Sequence, residues 1–330
     1  MNLASTITAV KCPVCGTLCA DPPLYRYTAS EAATHFCPIT RNATRHHRLK
    51  ASITKLWSGD ECNILQCKEC QFAFAYPFVG GDEEFYSILH EQQGYPTWRW
   101  DYDLAIREAL SPFEKGQILD IGAGAGMFLR GLEPQWKRYA VEGSELTREP
   151  LKAAGIHVFP DLSAIPQSEF GTFQVVTLFQ VLEHIADFRS VLAQCRQLLC
   201  AGGRLFISVP SGEAMIRQEK LTGCPDMPPN HVNKWTPDSL SRVLHDANFY
   251  PQPAIFESPS WDNLKLSLHL RVMTKATNQR SLAAQVYRIS NKRLRALLLS
   301  TLGLPALIKL LPYVQQLRQG GSFVIMGTAR

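Results

Sequence analysis

No uninterrupted apolar run of about 18 residues occurs in this 330-residue chain, so a simple membrane-spanning helix is not expected. Met1 to Val10 hold no positively charged stretch followed by an apolar one, which removes the pattern of an export signal. Strong charge of one sign is missing as well, since 34 Lys and Arg stand against 29 Asp and Glu. A formal charge of +5 neither requires a nucleic-acid partner nor excludes an anionic substrate, and no basic stripe interleaved with aromatics is present to grip RNA. A cytoplasmic, reducing location is the expectation, and the residues do not specify an oligomeric state.

Cysteine is what the start of the chain has in excess. Seven of the ten cysteines (Cys12, Cys15, Cys19, Cys37, Cys62, Cys67 and Cys70) fall in the first 70 residues, and in a reducing compartment such crowding indicates metal more than disulfides. Cys12-Pro-Val-Cys15-Gly16 and Cys67-Lys-Glu-Cys70 have the two-residue spacing that lets one tight turn aim both thiolates at a single ion. Two such turns complete a tetrahedral zinc site, and four protein ligands leave no open position, so the ion would be structural. A zinc-ribbon-like segment is therefore expected over residues 1–80. Its second knuckle leads into an alternating strand of Phe72, Phe74 and Tyr76 that stops at Pro77. The competing reading is a buried or redox-active cysteine pair. The long insertion between the knuckles offers His35 and Cys37 as reserve ligands. It also carries Arg41, Arg45, His46, His47, Arg48 and Lys50, a basic run suited to a solvated surface or to phosphate.

Residues 81–115 read as a helical linker or lid. From Gly116 strands alternate with helices. Gln117 to Ile121 is a short buried-type strand, Gly122-Ala-Gly124-Ala-Gly126 a turn, and Met127-Phe128-Leu129 a helix start. Tyr139-Ala140-Val141 forms a second strand, after which Glu142 is placed to accept ribose hydroxyls. The dinucleotide fingerprint fails at its third glycine, where Met127 or Leu129 stands. The turn instead suits a cofactor without phosphates, whose ammonium group needs a carboxylate such as Asp120. Ile156 to Phe159 reads as a third strand ending at Asp161-Leu162, and Phe173 to Phe179 as a fourth. Gln180-Val181-Leu182-Glu183-His184 follows, then a helix from Asp187 to Leu199 closed by Ala201-Gly202-Gly203, then a fifth strand, Arg204 to Val209.

Taken together, ILDIGAGAGMFL, VEGSE, VFPDL, FQVVTLFQVLEHI, LLCAGGRLFISVP and NHVNKWTPDSL resemble the successive motifs of class I S-adenosylmethionine (SAM)-dependent methyltransferases, over about residues 117–250. The resemblance implies a doubly wound, mostly parallel seven-stranded Rossmann-like α/β sheet over 116–330. It implies that Asp120, Gly122, Gly124 and Gln180 hold the methionine end of SAM, Glu142 the ribose, and Asp161 and Leu162 the adenine. A zinc ribbon ahead of such a core resembles methyltransferases acting on sugars and related intermediates, so a small-molecule acceptor is expected.

Methyl transfer from a sulfonium needs alignment, exclusion of water and often a base, but no metal. His184, at the carboxyl edge of the fourth strand, and His231, on the loop Pro228 to Trp235, are the candidate bases, with Trp235 as a pocket wall. Ala254 to Glu257 and Ser322 to Met326 resemble the last two strands, the final one antiparallel. Between them lies a helical insert, about 264–318, whose leucine-rich stretch from Leu294 to Val314 is interrupted by Pro305 and Pro312. That insert is expected to pack over the pocket or a second subunit, or to touch a membrane surface with Arg288, Lys292, Arg293 and Arg295. The alternative functions are an RNA methyltransferase gripping its substrate through the zinc segment, and a non-catalytic scaffold.

Overall fold

A computed structural model describes residues 9–91, 98–276, 280–287 and 289–330; Arg288 lies outside them. The strands are β1 (Val10–Lys11), β2 (Leu18–Cys19), β3 (Tyr25–Thr28), β4 (Glu61–Gln66), β5 (Ala73–Tyr76), β6 (Gly116–Ile121), β7 (Trp136–Val141), β8 (His157–Phe159), β9 (Phe173–Phe179), β10 (Leu199–Pro210), β11 (Asn233–Lys234), β12 (Phe249–Pro251), β13 (Ile255–Phe256) and β14 (Ser322–Ala329).

The main sheet runs β12-β14-β10-β9-β6-β7-β8, with β13 also paired to β14. Strands β6 to β10 are parallel to their neighbours, and β14 runs antiparallel to β10, Arg204 facing Thr328 and Pro210 facing Ser322. Alternating side chains cover both faces. Ile118, Ala140, Val175, Phe206 and Val324 pack with Phe128 and Leu129 on one side. Leu119, Val176, Leu178, Leu205 and Ile325 pack with Phe188, Leu192 and Leu240 on the other. Strands buried on both faces explain the near-continuous apolar runs of the sequence.

Two expected details differ. Ala201-Gly202-Gly203 does not close the preceding helix, which ends at Leu198; the three residues lie inside β10, where the register shifts between Leu199 and Arg204. Gly202, at φ 72°, supplies the left-handed residue such an irregularity uses. At the far edge, the place expected for Ala254 to Glu257 is taken mainly by β12, while β13 contributes two residues paired with Phe323 and Val324.

The N-terminal part has its own sheet, β11-β5-β4-β3, flanked by helices Ala29–Phe36 and Ala43–Trp57. Its fourth strand comes from beyond the fifth core strand: Asn233 faces Phe74 and Lys234 faces Ala73. Thr28 opens the first of these helices with a capping box completed by Glu31. Apart from Arg41, which precedes it, the basic run lies on the second helix. Its Arg45 is buried, donating to the carbonyls of Ile88 (2.9 Å) and Leu89 (2.6 Å) at the end of helix Glu83–His90, a structural use of that charge.

Helix Trp261–Ala276 opens the insert, and helix Lys292–Leu310 continues through Pro305 instead of breaking there. Pro312 falls in a short 3-10 turn, Leu311–Tyr313.

Candidate cofactor and acceptor site

At the end of β6 three glycines take left-handed φ, 73° at Gly122, 52° at Gly124 and 70° at Gly126, a conformation side chains rarely allow. A Cβ on Gly122 would stand 2.6 Å from Val181 Cγ2, whereas nothing lies within 4 Å of one on Gly124. The turn is therefore packed from below and open above. Glu142 is clasped across it: its Oε2 accepts from Gly124 N at 2.8 Å and its Oε1 from Ser144 N at 2.8 Å.

Asp120 is buried beneath the turn and accepts from Thr177 Oγ1 at 2.8 Å. Burial pushes its carboxyl up to about 7, against the pull of the Thr177 hydrogen bond. Asp161 caps the short turn Leu162–Ala164, accepting from Ser163 Oγ (2.6 Å), Ser163 N (2.8 Å) and Ala164 N (3.0 Å). The Ser163 bond holds that carboxyl below its ordinary range. Gln180 takes a left-handed φ of 58°, and its N donates to Ser208 O at 2.9 Å. These groups follow the ends of four adjacent strands, β6, β7, β8 and β9, so Asp120, Gly122, Gly124, Glu142, Asp161, Leu162 and Gln180 share one sheet edge.

Asp101 was not singled out from the sequence. It is fully buried, receives two hydrogen bonds from Arg99 (2.9 and 2.6 Å) and one from Ser208 Oγ (2.6 Å), and its charge bears on Asp120. An acid among Trp98, Trp100 and Tyr102 was the available signal.

On the acceptor side the rings of His184 and His231 approach to 4.7 Å between centroids. His184 Nδ1 lies 2.6 Å from Asn230 O, which can only accept, so Nδ1 carries the proton and Nε2 the lone pair. Burial drives its pKa down to about 3, which makes it a weak base. In His231 burial also works against the charged form, but the Asp226 carboxylate, 2.6 Å from Nδ1, outweighs it and the pKa rises. Asp226 pairs in turn with the buried Lys234, and both partners hold it well below the usual carboxylate range despite its burial. Asn233 Nδ2 ties this loop to the preceding turn, donating to Leu182 O at 2.9 Å and Ile185 O at 2.7 Å.

Glu183 is buried, its Oε2 has no hydrogen-bond partner among the described residues, and burial raises its carboxyl to about 7. One ligand atom each from Glu183, His184 and His231 lie within 4.8 Å of one another, a spacing open to a divalent cation. Trp235 is not a pocket wall: fully buried, it packs between Phe72 and Phe188 at ring distances of 4.7 and 5.0 Å. Beside Gln180 a cavity of about 270 Å³ is lined by polar groups of Arg217, Gln218, Glu257, Asn263 and Gln316 together with the apolar Leu266 and Leu317.

The four cysteines of the two pairs meet. Cys12 Sγ lies 3.6 Å from Cys70 Sγ, and Cys15 Sγ 3.5 Å from Cys67 Sγ. Sulfurs around tetrahedral zinc, at about 2.3 Å from the ion, stand roughly 3.8 Å apart, so the residues fit the ion. The reserve ligands do not join them. Cys37 bonds toward Asn42 O and Pro38 O, and His35 feels the charges of Asp226 and His231 near the acceptor loop. The knuckles are bolted to the core: Arg189 donates to Pro13 O (3.2 Å) and Val14 O (2.6 Å), and Thr236 Oγ1 to Cys70 O (3.4 Å).

Strand order, antiparallel last strand and glycine turn together define a doubly wound fold with a nucleoside-cofactor edge. Residues 95–253 match a family model described as a methyltransferase domain. The ubiquinone biosynthesis O-methyltransferase of Cronobacter sakazakii is 26% identical over 173 residues, covering 48% of this chain and 67% of that protein. Its namesake from Nitrosococcus oceani is 31% identical over 102 residues, 28% of this chain and 42% of that protein. Among solved structures, the YcgJ protein of Bacillus gives a TM-score of 0.43 at 16% identity, covering 70% of this chain and 98% of that one. The Haemonchus contortus phosphoethanolamine N-methyltransferase 2 complex with S-adenosylhomocysteine gives 0.43 at 15%, covering 69% and 52%. Over residues 95–253, then, the chain carries a methyltransferase domain of the SAM-dependent class I type.

Proposed function

We propose that this protein moves the methyl group of SAM to a nucleophile on a small biosynthetic intermediate. The observation that carries the reading is the Glu142 carboxylate clasped to Gly124 N at 2.8 Å above an open glycine turn. A carboxylate fixed there meets a ribose without reorganising, and the backbone of Gly122 and Gly124 leaves room for the methionine end. Asp120 is the anion for the cofactor's ammonium group, Gln180 lies beside it, and Asp161 and Leu162 border the adenine.

SAM supplies the sulfonium methyl group. The chain aligns the acceptor, excludes water and removes a proton. His231, whose basicity Asp226 raises, is the better of the two candidate bases, and His184, neutral and held by Asn230 O, positions it. Cys12, Cys15, Cys67 and Cys70 are assigned to one structural zinc ion, held by a zinc-ribbon-like segment over 1–80.

Relatives of this chain are O-methyltransferases of ubiquinone biosynthesis, and oxygen is accordingly the first acceptor atom to test. Calorimetric titration with S-adenosylhomocysteine is expected to give a saturable, one-to-one heat. Methyl transfer from labelled SAM into a cell extract is expected to mark a small molecule. No heat at millimolar ligand removes the enzyme reading, and label found only in RNA replaces the acceptor class.

A further inference from the structure

The charge of this chain is not spread evenly. Residues 261–318 hold ten Lys and Arg against the single acid Asp262, while the other 272 residues hold 24 against 28. A +9 insert is thus mounted on a body of net −4.

The same insert leaves apolar surface uncovered. Helix Lys292–Leu310 contains eight leucines, yet among its described side chains only Leu310 is buried. Leu297 is 63% and Ile308 68% exposed, and Leu282 on the preceding helix is 66% exposed. Nine of the 21 large apolar residues exposed among the described residues lie in these 58 positions. Exposed apolar residues concentrated in one element mark a candidate binding face.

We propose that the insert docks on an anionic lipid surface, lying in the head-group plane with its leucines inserted. Apolar contact and cationic attraction are the two terms that interfacial binding needs, and both are concentrated here. No helix among the described residues is long and apolar enough to cross a membrane, so the contact is peripheral. A second copy of the chain is a poor occupant, because matching faces would bring +9 against +9. Nucleic acid is a poor one too. The exposed apolar residues are mainly aliphatic and offer little to stack on, and Trp261 is already occupied by the Arg318 guanidinium 4.0 Å above its ring. Asn263 and Gln316 of this insert line the cavity beside Gln180, so the docking element also borders the proposed cofactor site.

The test is sedimentation of the full chain with vesicles of equimolar phosphatidylglycerol and phosphatidylcholine, against phosphatidylcholine alone, at about 0.05 M and 0.5 M salt. The expected result is at least tenfold preference for the anionic vesicles at low salt, reduced by high salt. Leu297→Asp with Ile308→Asp should abolish binding, and Arg293→Glu with Arg295→Glu should weaken it about tenfold or more. Both variants should keep the wild-type unfolding temperature and titration with S-adenosylhomocysteine, so failure here is separable from failure of the cofactor site. Absence of binding to anionic vesicles at low salt overturns the proposal. So does binding that survives the two aspartates, or a lipid-free dimer that those aspartates dissolve.

Discussion

The proposed cofactor side lies along the main sheet, whereas the proposed acceptor side joins the turn after β9 to β11 of the second sheet, and the two are assembled differently. On the proposed cofactor side two clasps are short in sequence, 18 residues from Gly124 to Glu142 and two from Asp161 to Ser163, while Thr177 to Asp120 and Ser208 to Asp101 span 57 and 107. On the proposed acceptor side Asp226 closes its loop locally on His231 and Lys234, five and eight residues away, but the clasps that hold this region to the rest of the chain are long. Asn233 reaches Leu182, 51 residues away, Arg189 reaches Val14, 175 away, and Tyr27 meets Glu219, 192 away. A site assembled from distant segments depends on whatever anchors those segments, and here the anchor is the cysteine cluster. Its second knuckle leads directly into β5, whose partner β11 carries the residues just after His231.

The largest effect expected from that difference is loss of the proposed zinc site. Cys67→Ser with Cys70→Ser should lower the thermal midpoint by roughly 10 °C, because metal binding and folding are coupled. It should abolish turnover, yet leave affinity for S-adenosylhomocysteine within about threefold, since that site is clasped by other residues. Zinc below about 0.3 per chain in the wild-type protein removes the anchor from the argument, and an equal loss of cofactor affinity in the variant erases the contrast between the edges.

Next in size is the base. His231→Ala is expected to cost about 10² to 10³ in turnover with cofactor binding unchanged, and Asp226→Asn to cost part of that while moving the acid limb of the pH–rate profile downward, because the carboxylate is what raises the His231 pKa. An acid limb that stays in place in Asp226→Asn assigns the titration elsewhere.

That contrast also explains what was legible beforehand. Asp120 near the end of its strand, and the glycine turn, Glu142, Asp161 and Gln180 just after theirs, all sit at strands of the expected kind, so their place on one edge came from strand order alone. Cys12, Cys15, Cys67 and Cys70 were legible because paired spacing dictates pairwise geometry. The Asp226 to Lys234 pair, the buried Trp235 and the β5–β11 pairing were not. No local pattern distinguishes a loop aromatic that walls a pocket from one that fills a gap between Phe72 and Phe188. His35 lay on the wrong side of the reading for the same reason: sequence proximity to Cys37 suggested a ligand, while tertiary packing turned it toward His231.

A smaller effect tests the ribose clasp. Glu142→Ala should weaken S-adenosylhomocysteine binding about 10- to 100-fold, the range for hydrogen bonds to a charged group, and Glu142→Gln should recover part of it. A change under about twofold would leave the glycine turn without its ribose partner.

The smallest effect separates the two edges by proton linkage. Burial raises both Asp120 and Glu183 to about 7, from ordinary values near 4. A folded-state pKa above the unfolded one means that the folded chain binds the proton more tightly. Each group therefore contributes stability fully present below about pH 4 and lost as pH rises through 7. Only Asp120 faces the cofactor's ammonium group in the proposed arrangement, and the ammonium favours the ionised carboxylate. Affinity for S-adenosylhomocysteine should consequently rise about tenfold between pH 6 and pH 8, with proton release on binding below pH 7. Asp120→Asn should flatten that affinity profile. Glu183→Gln should leave the affinity profile sloped and flatten only its own share of the stability profile. A wild-type affinity that is level across this range would mean that Asp120 does not receive the ammonium, and a slope removed by Glu183→Gln would couple the two edges more closely than their separate clasps allow.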